Sequence, residues 1–264
     1  MTHVVVTRPQ PEAQQWVQRL TAQGCQACAV PLMDIGPCTH PAAQAAVQQA
    51  LAQLASFQAV MFVSGNAVRY FFDRLHDQGL HLHATTRLWA PGPGTPQALL
   101  HAQQPLGQLD QPPADAAQFD SEALWAVVHS QVHPGHRTLI VRGSDAHALR
   151  PGAGTGRTWL TQRLQAHGGQ VDFAPVYERR APAATPALLD HIQALRAQSA
   201  LWLFSSSECI SHLRQLTPQA DWQAHTALCT HPRIAQQAMH AGFGRVIDTQ
   251  PTVTAIAASI KSLP

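Results

Sequence analysis

The sequence predicts an α/β protein of two domains, each built around a parallel sheet. Short β-branched strands alternate with helical patterns, the turns between them are short, and one half of the chain repeats the other. With 264 residues, 45% of them hydrophobic and 12% charged, the chain is long and apolar enough to bury two cores.

Strands and helices alternate along the whole chain. The run HVVVT at 3–7 is followed by a helical pattern through Trp16 and Leu20 that ends at Gly24. Pro and Gly separate the later elements, and polar residues such as Thr252 begin helices. The predicted strands lie at 3–7, 28–32, 59–63, 87–91, 106–109, 138–142, 170–176, 200–204, 226–230 and 245–248.

Alignments within the chain reveal an internal duplication. The repeated segments share strand and helix patterns, together with short strings such as Gln-Arg-Leu. The matching pairs are 4–8 with 138–142 at an offset of 134, 16–32 with 159–176 at an offset of 144 from Gln18 onward, and 59–68 with 201–210 at an offset of 142.

The two halves are not arranged in tandem. The first half is interrupted after residue 35 and resumes after residue 180. We therefore predict a discontinuous α/β domain of residues 1–35 plus 180–264, and an inserted α/β domain of residues 38–172. The crossing segments 31–37 and 173–180 have extended character and are expected to pair as a two-stranded antiparallel linker.

Composition excludes several classes of function. The formal net charge is +2, with 17 Lys plus Arg against 15 Asp plus Glu, so neither nucleic acid nor an anionic membrane is an expected partner. Five cysteines, an odd and sparse set, suit a reducing compartment better than a disulfide framework. No segment approaches the ~20 apolar residues of a membrane span, and no signal peptide is evident. The protein is therefore expected in the cytoplasm.

Some local patterns suggest metal or nucleotide sites but are incomplete. Cys25-x-x-Cys28 reads as a redox motif or half a zinc site, yet it has no second CxxC and follows a helix end. Gly92-x-Gly94 lacks a third glycine, and the stretch 152–157 lacks the Lys-Ser/Thr of a P-loop. The pair His81-x-His83 has no convergent partners. No metal and no cofactor are predicted.

The turns after the predicted strands form the candidate site. In a parallel sheet the ligand lies beyond the carboxyl ends of the strands, where each following helix presents free N–H groups that attract anions. Ser64, Thr95, Ser121 and Ser206 also fit ordinary N-caps, and that role does not exclude ligand contact. The candidate anion-binding residues are Thr7, Arg8, Ser64, Gly65, Asn66, Gly94, Thr95, Ser121, Arg142, Ser205, Ser206, Ser207, His231, Pro232 and Arg233.

The order of the motifs resembles that of the uroporphyrinogen-III synthase family over most of the chain. That resemblance implies two flavodoxin-like domains joined by a two-stranded linker, with a cleft between them. One departure is the longer loop from Ser144 to Thr155, so we assign no substrate role to Arg157. The motifs are VVVTRP (4–9), PLMDIGP (31–37), FVSGNAV (62–68), GPGT (92–95), SEALW (121–125), RG (142–143), GRTWL (156–160), PVYERR (175–180), FSSSE (204–208), THPRIA (230–235) and AGF (241–243).

The resemblance also implies a reaction. Family members are lyases that close hydroxymethylbilane, a linear tetrapyrrole with eight carboxylates, to uroporphyrinogen III with inversion of ring D through a spiro intermediate. They use no cofactor and no metal, and are generally monomeric, so a monomer is expected. The candidate residues above would then bind the substrate carboxylates. The alternative is a non-catalytic two-domain tetrapyrrole-binding or regulatory paralogue.

Tyr177 is the candidate catalytic residue. It matches the family tyrosine that is given the role of assisting departure of the substrate hydroxyl, and the only other tyrosine in the chain is Tyr70. A tyrosine hydroxyl near the leaving group can donate a hydrogen bond or a proton. The alternative is that Tyr177 is a linker residue that packs one domain against the other.

Overall fold

The computed structural model describes residues 3–92, 94–104, 106–113, 116, 119–145 and 158–263. Pro93, Arg157 and the Gly-rich stretch 152–157 lie outside these residues. The strands are β1 His3–Val6, β2 Gln26–Ala29, β3 Asp34–Pro37, β4 Ala59–Phe62, β5 Arg87–Trp89, β6 Leu109–Asp110, β7 Arg137–Asp145, β8 Gln170–Arg180, β9 Leu201–Phe204, β10 Thr226–Cys229 and β11 Arg245–Asp248.

The helices connect these strands, mostly in strict alternation with them. They are α1 Glu12–Ala22, α2 Pro41–Ala52, α3 Gly65–Asp77, α4 Gly94–His101, α5 Ser121–Val128, α6 Thr158–Ala166, α7 Pro186–Ala197, α8 Ser207–Leu216, α9 Pro232–His240 and α10 Val253–Lys261. Within the described ranges, no helix combines the length and the apolar character needed to cross a membrane.

The chain forms two compact units. The first contains Met1–Ile35 and Arg180–Pro264, and the second contains Gly36–Arg179. The chain therefore passes from the first unit to the second after Ile35 and returns after Arg179. Each unit has its own sheet: the strand order is β11-β10-β9-β1-β2 in one sheet and β3-β8-β7-β4-β5-β6 in the other.

The predicted α/β class is confirmed. Both sheets are parallel, and the second also contains one antiparallel pair, which β3 forms with β8. The sequence repeats pair β1 with β7, β2 with β8 and β9 with β4. With those pairs equated, β2-β1-β9-β10-β11 in the first sheet has the same order as β8-β7-β4-β5-β6 in the second. This is the 2-1-3-4-5 order of flavodoxin-like sheets. In the second unit the chain begins this arrangement at β4, the equivalent of β9, and forms the equivalents of β1 and β2 last.

The cores form because the strands are apolar on both faces. In the first unit, Val5 and Trp202 pack under α7, α8 and α9, whereas Val4 and Leu203 point to the opposite face, against α1 and α10. All four of these side chains are buried. In the second unit, Met61 of β4 belongs to a cluster that includes residues of α5 and α6. Continuous buried apolar runs are typical of parallel sheets covered by helices on both sides.

Two strand predictions were displaced. The strand predicted at 28–32 is β2, Gln26–Ala29, although the N–H groups of Val30 and Leu32 beyond its end still donate to the carbonyls of Val6 and Thr7. At 106–109, Leu106–Gln108 form a 3₁₀ turn, and β6 is only Leu109–Asp110. Both displaced strands are short and border a proline or glycine, where apolar periodicity is weakest.

Burial lowers the pKa of two histidines, one in each unit. His136 is buried, with its ring parallel to that of Trp89 at a centroid distance of 5.8 Å. Burial lowers the pKa of His136, and the neighbouring His133 lowers it further. Burial likewise lowers the pKa of His225 in the first unit, beside Arg196. Both imidazoles are therefore held in the neutral form in the folded state.

We predict that the protein loses stability as the pH falls below about 6.5, the pKa of an unperturbed histidine. In that range the unfolded chain binds protons that the buried imidazoles do not, so the urea midpoint should be lower at pH 5.5 than at pH 7.5. The variant His136→Phe retains an aromatic ring against Trp89 without a titrating group, so its midpoint should fall less. His76→Asn, at a side chain that is 92% exposed, is the control. An unchanged pH dependence in His136→Phe would contradict this assignment.

Candidate functional site

Tyr177 lies in β8, which continues beyond the predicted strand end at residue 176 as far as Arg180. The pairing of β7 with β8 is regular up to Arg142↔Pro175 and resumes at Gly143↔Tyr177, so Val176 is an extra residue on β8. Such a bulge re-aims the side chains that follow it. The bulge therefore determines which face of the sheet receives Tyr177.

The ring of Tyr177 crosses directly over Gly143. A Cβ atom placed on Gly143 would lie 2.6 Å from both Cε2 and Cζ of Tyr177, so only glycine fits beneath the ring. Beyond Gly143, the Tyr177 hydroxyl is 3.1 Å from Oγ of Ser64, the second residue after β4. The side chain thus spans from β8 across β7 to β4. The strand order of this sheet reverses between β7 and β4, the position where α/β sheets bind ligands.

Ser64 is the N-cap of α3. Its Oγ accepts a hydrogen bond from the backbone N–H of Ala67 at 3.2 Å, as expected for a serine that begins a helix. Between Ser64 and Tyr177 either hydroxyl can be the donor. When Ser64 donates, the proton of the Tyr177 hydroxyl remains available to a ligand. Capping and ligand contact are therefore compatible at Ser64.

The first turns of α3 hold Tyr177 from a second direction. The rings of Tyr70 and Tyr177 are stacked, with centroids 5.9 Å apart and an interplanar angle of 25°. The Arg69 guanidinium lies over the Tyr70 ring at 4.5 Å and donates to Oδ1 of Asn66 at 3.4 Å. Tyr177 itself is only 1% exposed. Its hydroxyl orientation is therefore set by packing rather than by solvent.

Glu178 follows Tyr177 in β8 and holds this strand from the opposite face of the sheet. Its side chain lies there because successive side chains of a strand point to opposite faces. This carboxylate is 6% exposed and accepts hydrogen bonds from the Thr39 N–H at 3.2 Å, the Thr39 hydroxyl at 3.0 Å and the Cys38 thiol at 3.4 Å. Burial raises the pKa of Cys38, as does the Glu178 carboxylate, so the thiol remains a donor. Sequence reasoning missed Glu178; the available signal was an acidic residue next to Tyr177 in an apolar strand.

Arg142 and the α4 and α5 candidates lie at the same edge of the sheet. Arg142 donates from Nε to the carbonyl of Gly143 at 3.1 Å, and its guanidinium lies 5.7 Å from the Phe173 ring centroid. Gly65 begins α3, and Gly94 begins α4. Arg142 thus lies immediately beside the glycine that Tyr177 crosses.

The predicted N-cap roles of Thr95 and Ser121 are wrong. Thr95 is the second residue of α4 and is 2% exposed, so it is inside the first turn. Ser121 is the first residue of α5, and the cap is Asp120, whose Oδ1 accepts from the N–H groups of Glu122 at 3.0 Å and Ala123 at 2.9 Å. In the sequence FDSE, aspartate and serine are equally good caps, so composition alone does not distinguish them.

Ser121 nevertheless borders a cavity at this edge. The cavity has a volume of about 340 Å³ and is lined by Val63, Gly92, Asp120, Ser121 and Trp159, among others. Val63 immediately precedes Ser64, so the cavity and the Tyr177–Ser64 pair border the same strand end. The structure therefore groups Tyr177, Ser64, Arg142 and Ser121 along one sheet edge of the second unit.

In the first unit, the candidates follow the adjacent strands β1 and β9. The Thr7 hydroxyl is buried and donates to the Leu203 carbonyl at 2.7 Å, so it links β1 to β9. The Arg8 guanidinium lies over the Trp16 ring at 4.3 Å, and its Nη1 is 3.3 Å from Oε2 of Glu12. The Thr7 side chain is thus structural, whereas Arg8 is a partly exposed cation at the strand end.

Two helix N-termini follow at this edge. Ser206 is the N-cap of α8 and accepts from the Glu208 N–H at 3.2 Å, between the half-buried Ser205 and Ser207. His231 is the N-cap of α9: its Nδ1 accepts from the N–H of Arg233 at 3.1 Å, which leaves Nε2 to carry the proton. This capping role of His231 was not predicted, because histidine is uncommon at that position.

Pro232, the first residue of α9, has no N–H to satisfy, which suits that position. With His231 it lines a cavity of about 380 Å³, which also contains Asp248 and Thr249. Arg233 is exposed in the first turn of the same helix. The first unit therefore offers the capped ends of α8 and α9, together with Arg8 and Arg233, at its sheet edge.

Comparison with known proteins relates this fold to one family. A family model described as uroporphyrinogen-III synthase HemD matches residues 14–258. The uroporphyrinogen-III synthase of Synechococcus elongatus is 29% identical over 232 residues, covering 84% of this chain and 78% of that protein. The Escherichia coli uroporphyrinogen-III synthase is 29% identical over 247 residues, covering 91% of this chain and 92% of that protein.

Two solved structures share the fold. The uroporphyrinogen-III synthetase of Helicobacter pylori has a TM-score of 0.58 at 16% identity, covering 100% of this chain and 99% of that one. A mutant uroporphyrinogen III synthase of Thermus thermophilus has a TM-score of 0.54 at 16% identity, covering 99% and 98% respectively. Because the family model spans nearly the whole sequence, this chain belongs to the uroporphyrinogen-III synthase family.

Proposed function

We propose that this protein, a hydro-lyase by family, closes hydroxymethylbilane to uroporphyrinogen III with inversion of ring D. The observation that carries the proposal is the Tyr177 hydroxyl, which is held 3.1 Å from the capping hydroxyl of Ser64 at the ligand-binding edge of a parallel sheet. A hydroxyl at this position can assist the departure of the substrate hydroxyl. The proposed route uses no cofactor.

The proposed chemistry begins when the hydroxyl of the hydroxymethyl group takes up a proton and leaves as water, so that an azafulvenium ion remains. The terminal pyrrole then attacks ring D at its substituted carbon, and the resulting spiro intermediate fragments and recloses. Tyr177 would donate a hydrogen bond or a proton to the leaving oxygen, with Ser64 donating in turn to the Tyr177 oxygen. Because the pyrrole assists the departure, most of the catalysis would come from holding the substrate folded.

The substrate carboxylates would bind at the ends of the helices. The N-terminus of a helix attracts anions through its free N–H groups and its dipole, and the caps of α3, α8 and α9 leave other N–H groups of those first turns available. Several such sites make a high net positive charge unnecessary for an octacarboxylate. We propose that Ser64, Gly65, Asn66, Gly94, Thr95, Ser121, Arg142, Arg8, Ser205, Ser206, Ser207, His231, Pro232, Arg233 and the backbone at Thr7 form these binding positions.

We also propose that the protein acts as a monomer in the cytoplasm. We propose further that it has one domain of residues 1–35 plus 180–264 and an inserted domain of residues 38–172. Residues 31–37 and 173–180 would form the linker between these two domains. Five free cysteines support the reducing location. The passage of the chain between its two compact units after Ile35 and after Arg179 supports the linker assignment.

The direct test is incubation with freshly generated hydroxymethylbilane, followed by oxidation and assignment of the uroporphyrin isomer. We expect isomer III to predominate, because spontaneous closure gives the non-inverted isomer. A sample without protein measures that background. Formation of only the symmetric isomer would overturn the proposal and favour a non-catalytic tetrapyrrole-binding protein.

Replacing Tyr177 by Phe should lower kcat about 10- to 100-fold. This is at the low end of the contributions made by general acids, because the pyrrole also assists departure of the hydroxyl. The ring would still cover Gly143 and stack on Tyr70, so the far-UV circular dichroism should be unchanged. Ser64→Ala is the companion variant: it removes the hydroxyl partner and also a helix cap, which costs about 1 kcal/mol of stability. A Tyr177→Phe protein with full turnover would show that the residue only packs.

Gly143→Ala should reduce activity at least as much as Tyr177→Phe, because the added Cβ would occupy the position of the Tyr177 ring. The displaced ring would also lose its contact with Ser64. Gly107→Ala is the matched control, since its Cβ would meet no atom within 4 Å. Steady-state turnover of the two variants tests this, and equal activities would contradict the proposed position of the ring.

A further inference from the structure

An arginine outside the recognised motifs lies next to the tyrosine pair. Arg69 is the fifth residue of α3 and is exposed, and its guanidinium lies over the ring of Tyr70 at 4.5 Å. Tyr70 is in turn stacked on Tyr177 at 5.9 Å. Tyr70 therefore lies between the Arg69 guanidinium and Tyr177, the candidate acid. Arg69 and Tyr70 belong to α3, the helix that Ser64 caps.

The Arg69 guanidinium is held in place but retains unused donors. One Nη2 contact reaches Oδ1 of Asn66 at 3.4 Å, and stacking on Tyr70 restricts the plane of the group. No carboxylate of the described residues lies within 4 Å of it. A guanidinium has five N–H donors in a planar fork that matches a carboxylate. Preorganisation by Tyr70 and Asn66 lowers the entropy lost when such a ligand binds.

We infer that Arg69 binds a carboxylate of the substrate and thereby positions the adjacent pyrrole beside Tyr177. This inference rests on the proposed function, because it assumes an acidic tetrapyrrole as the ligand. Arg69 does not touch the reacting atoms in this assignment. It is a substrate-positioning residue, and it makes the site selective for rings that carry acidic side chains.

The position of Arg69 complements the helix end. The free N–H groups at the start of α3 offer one anion-binding position, and Arg69 offers another about one turn further along the same helix. Two carboxylates on one pyrrole, or on neighbouring pyrroles, can then be held at two points. Two-point binding restrains rotation of a flexible linear tetrapyrrole far more than one contact does.

The test compares Arg69→Gln, Arg69→Lys and Arg74→Gln. We expect Arg69→Gln to raise the KM for hydroxymethylbilane about tenfold, as for loss of one charged hydrogen-bonding pair, with kcat within about twofold of wild type. The KM of Arg69→Lys should lie between those of wild type and Arg69→Gln, because lysine keeps the charge but lacks the planar fork of donors. Arg74→Gln removes an equal charge from the last turn of the same helix, farther from the helix N-terminus, and should leave KM unchanged.

A binding measurement separates this inference from the proposed function. Uroporphyrin III keeps the eight carboxylates, and its affinity is measured by quenching of tryptophan fluorescence. We expect Arg69→Gln to weaken this binding about tenfold and to reduce its dependence on salt, relative to wild type and Arg74→Gln. Equal effects of the Arg69 and Arg74 variants, or no effect of either, would overturn the inference. If wild type forms no isomer III, the proposed function fails, while the uroporphyrin titration still decides the Arg69 site.

Discussion

The passage of the Tyr177 ring over Gly143 to the hydroxyl of Ser64 is the contact on which the site of the second unit depends. Tyr177 lies in β8, Gly143 lies in β7 and Ser64 lies in the turn after β4, and the bulge at Val176 determines the face on which the ring lies. Tyr70 stacks on Tyr177, and Thr39 and Cys38 donate hydrogen bonds to Glu178, so β8 is held on both faces of the sheet. The hydroxyl is therefore oriented before any ligand arrives, which is the requirement for catalysis by positioning.

The duplication separates what the two units share from what only one has. At the offset of 142, Ser206 corresponds to Ser64, and both serines cap the helix that follows. At the offset of 144, Met33 corresponds to Tyr177. At the offset of 134, Pro9 corresponds to Gly143, so the tyrosine–glycine pair exists only in the second unit. Serine-capped helix ends are thus a property of both halves, whereas the candidate acid belongs to one.

Several particular elements show where sequence reasoning succeeded and failed. The α/β class followed from alternating strands and helices, and the caps Ser64, Ser206 and Thr252 from residue type alone. Asp120 rather than Ser121 caps α5, because two adjacent residues with equal capping ability are distinguished only by backbone geometry. His231 as a cap and Glu178 as a buried acceptor depend on the neighbours that the fold supplies.

By itself, the sequence determined the α/β class, the repeat and the resemblance to one family, because apolar periodicity and short motifs are local properties of the chain. The tertiary structure decided which side chains meet: Tyr177 with Ser64 across Gly143, Arg69 over Tyr70, and Glu178 with Thr39. Residues 39 and 178, or 64 and 177, are far apart in the chain, and no local pattern encodes their distance. Strand register and a single bulge bring them together, and both are settled only when the sheet packs against its helices.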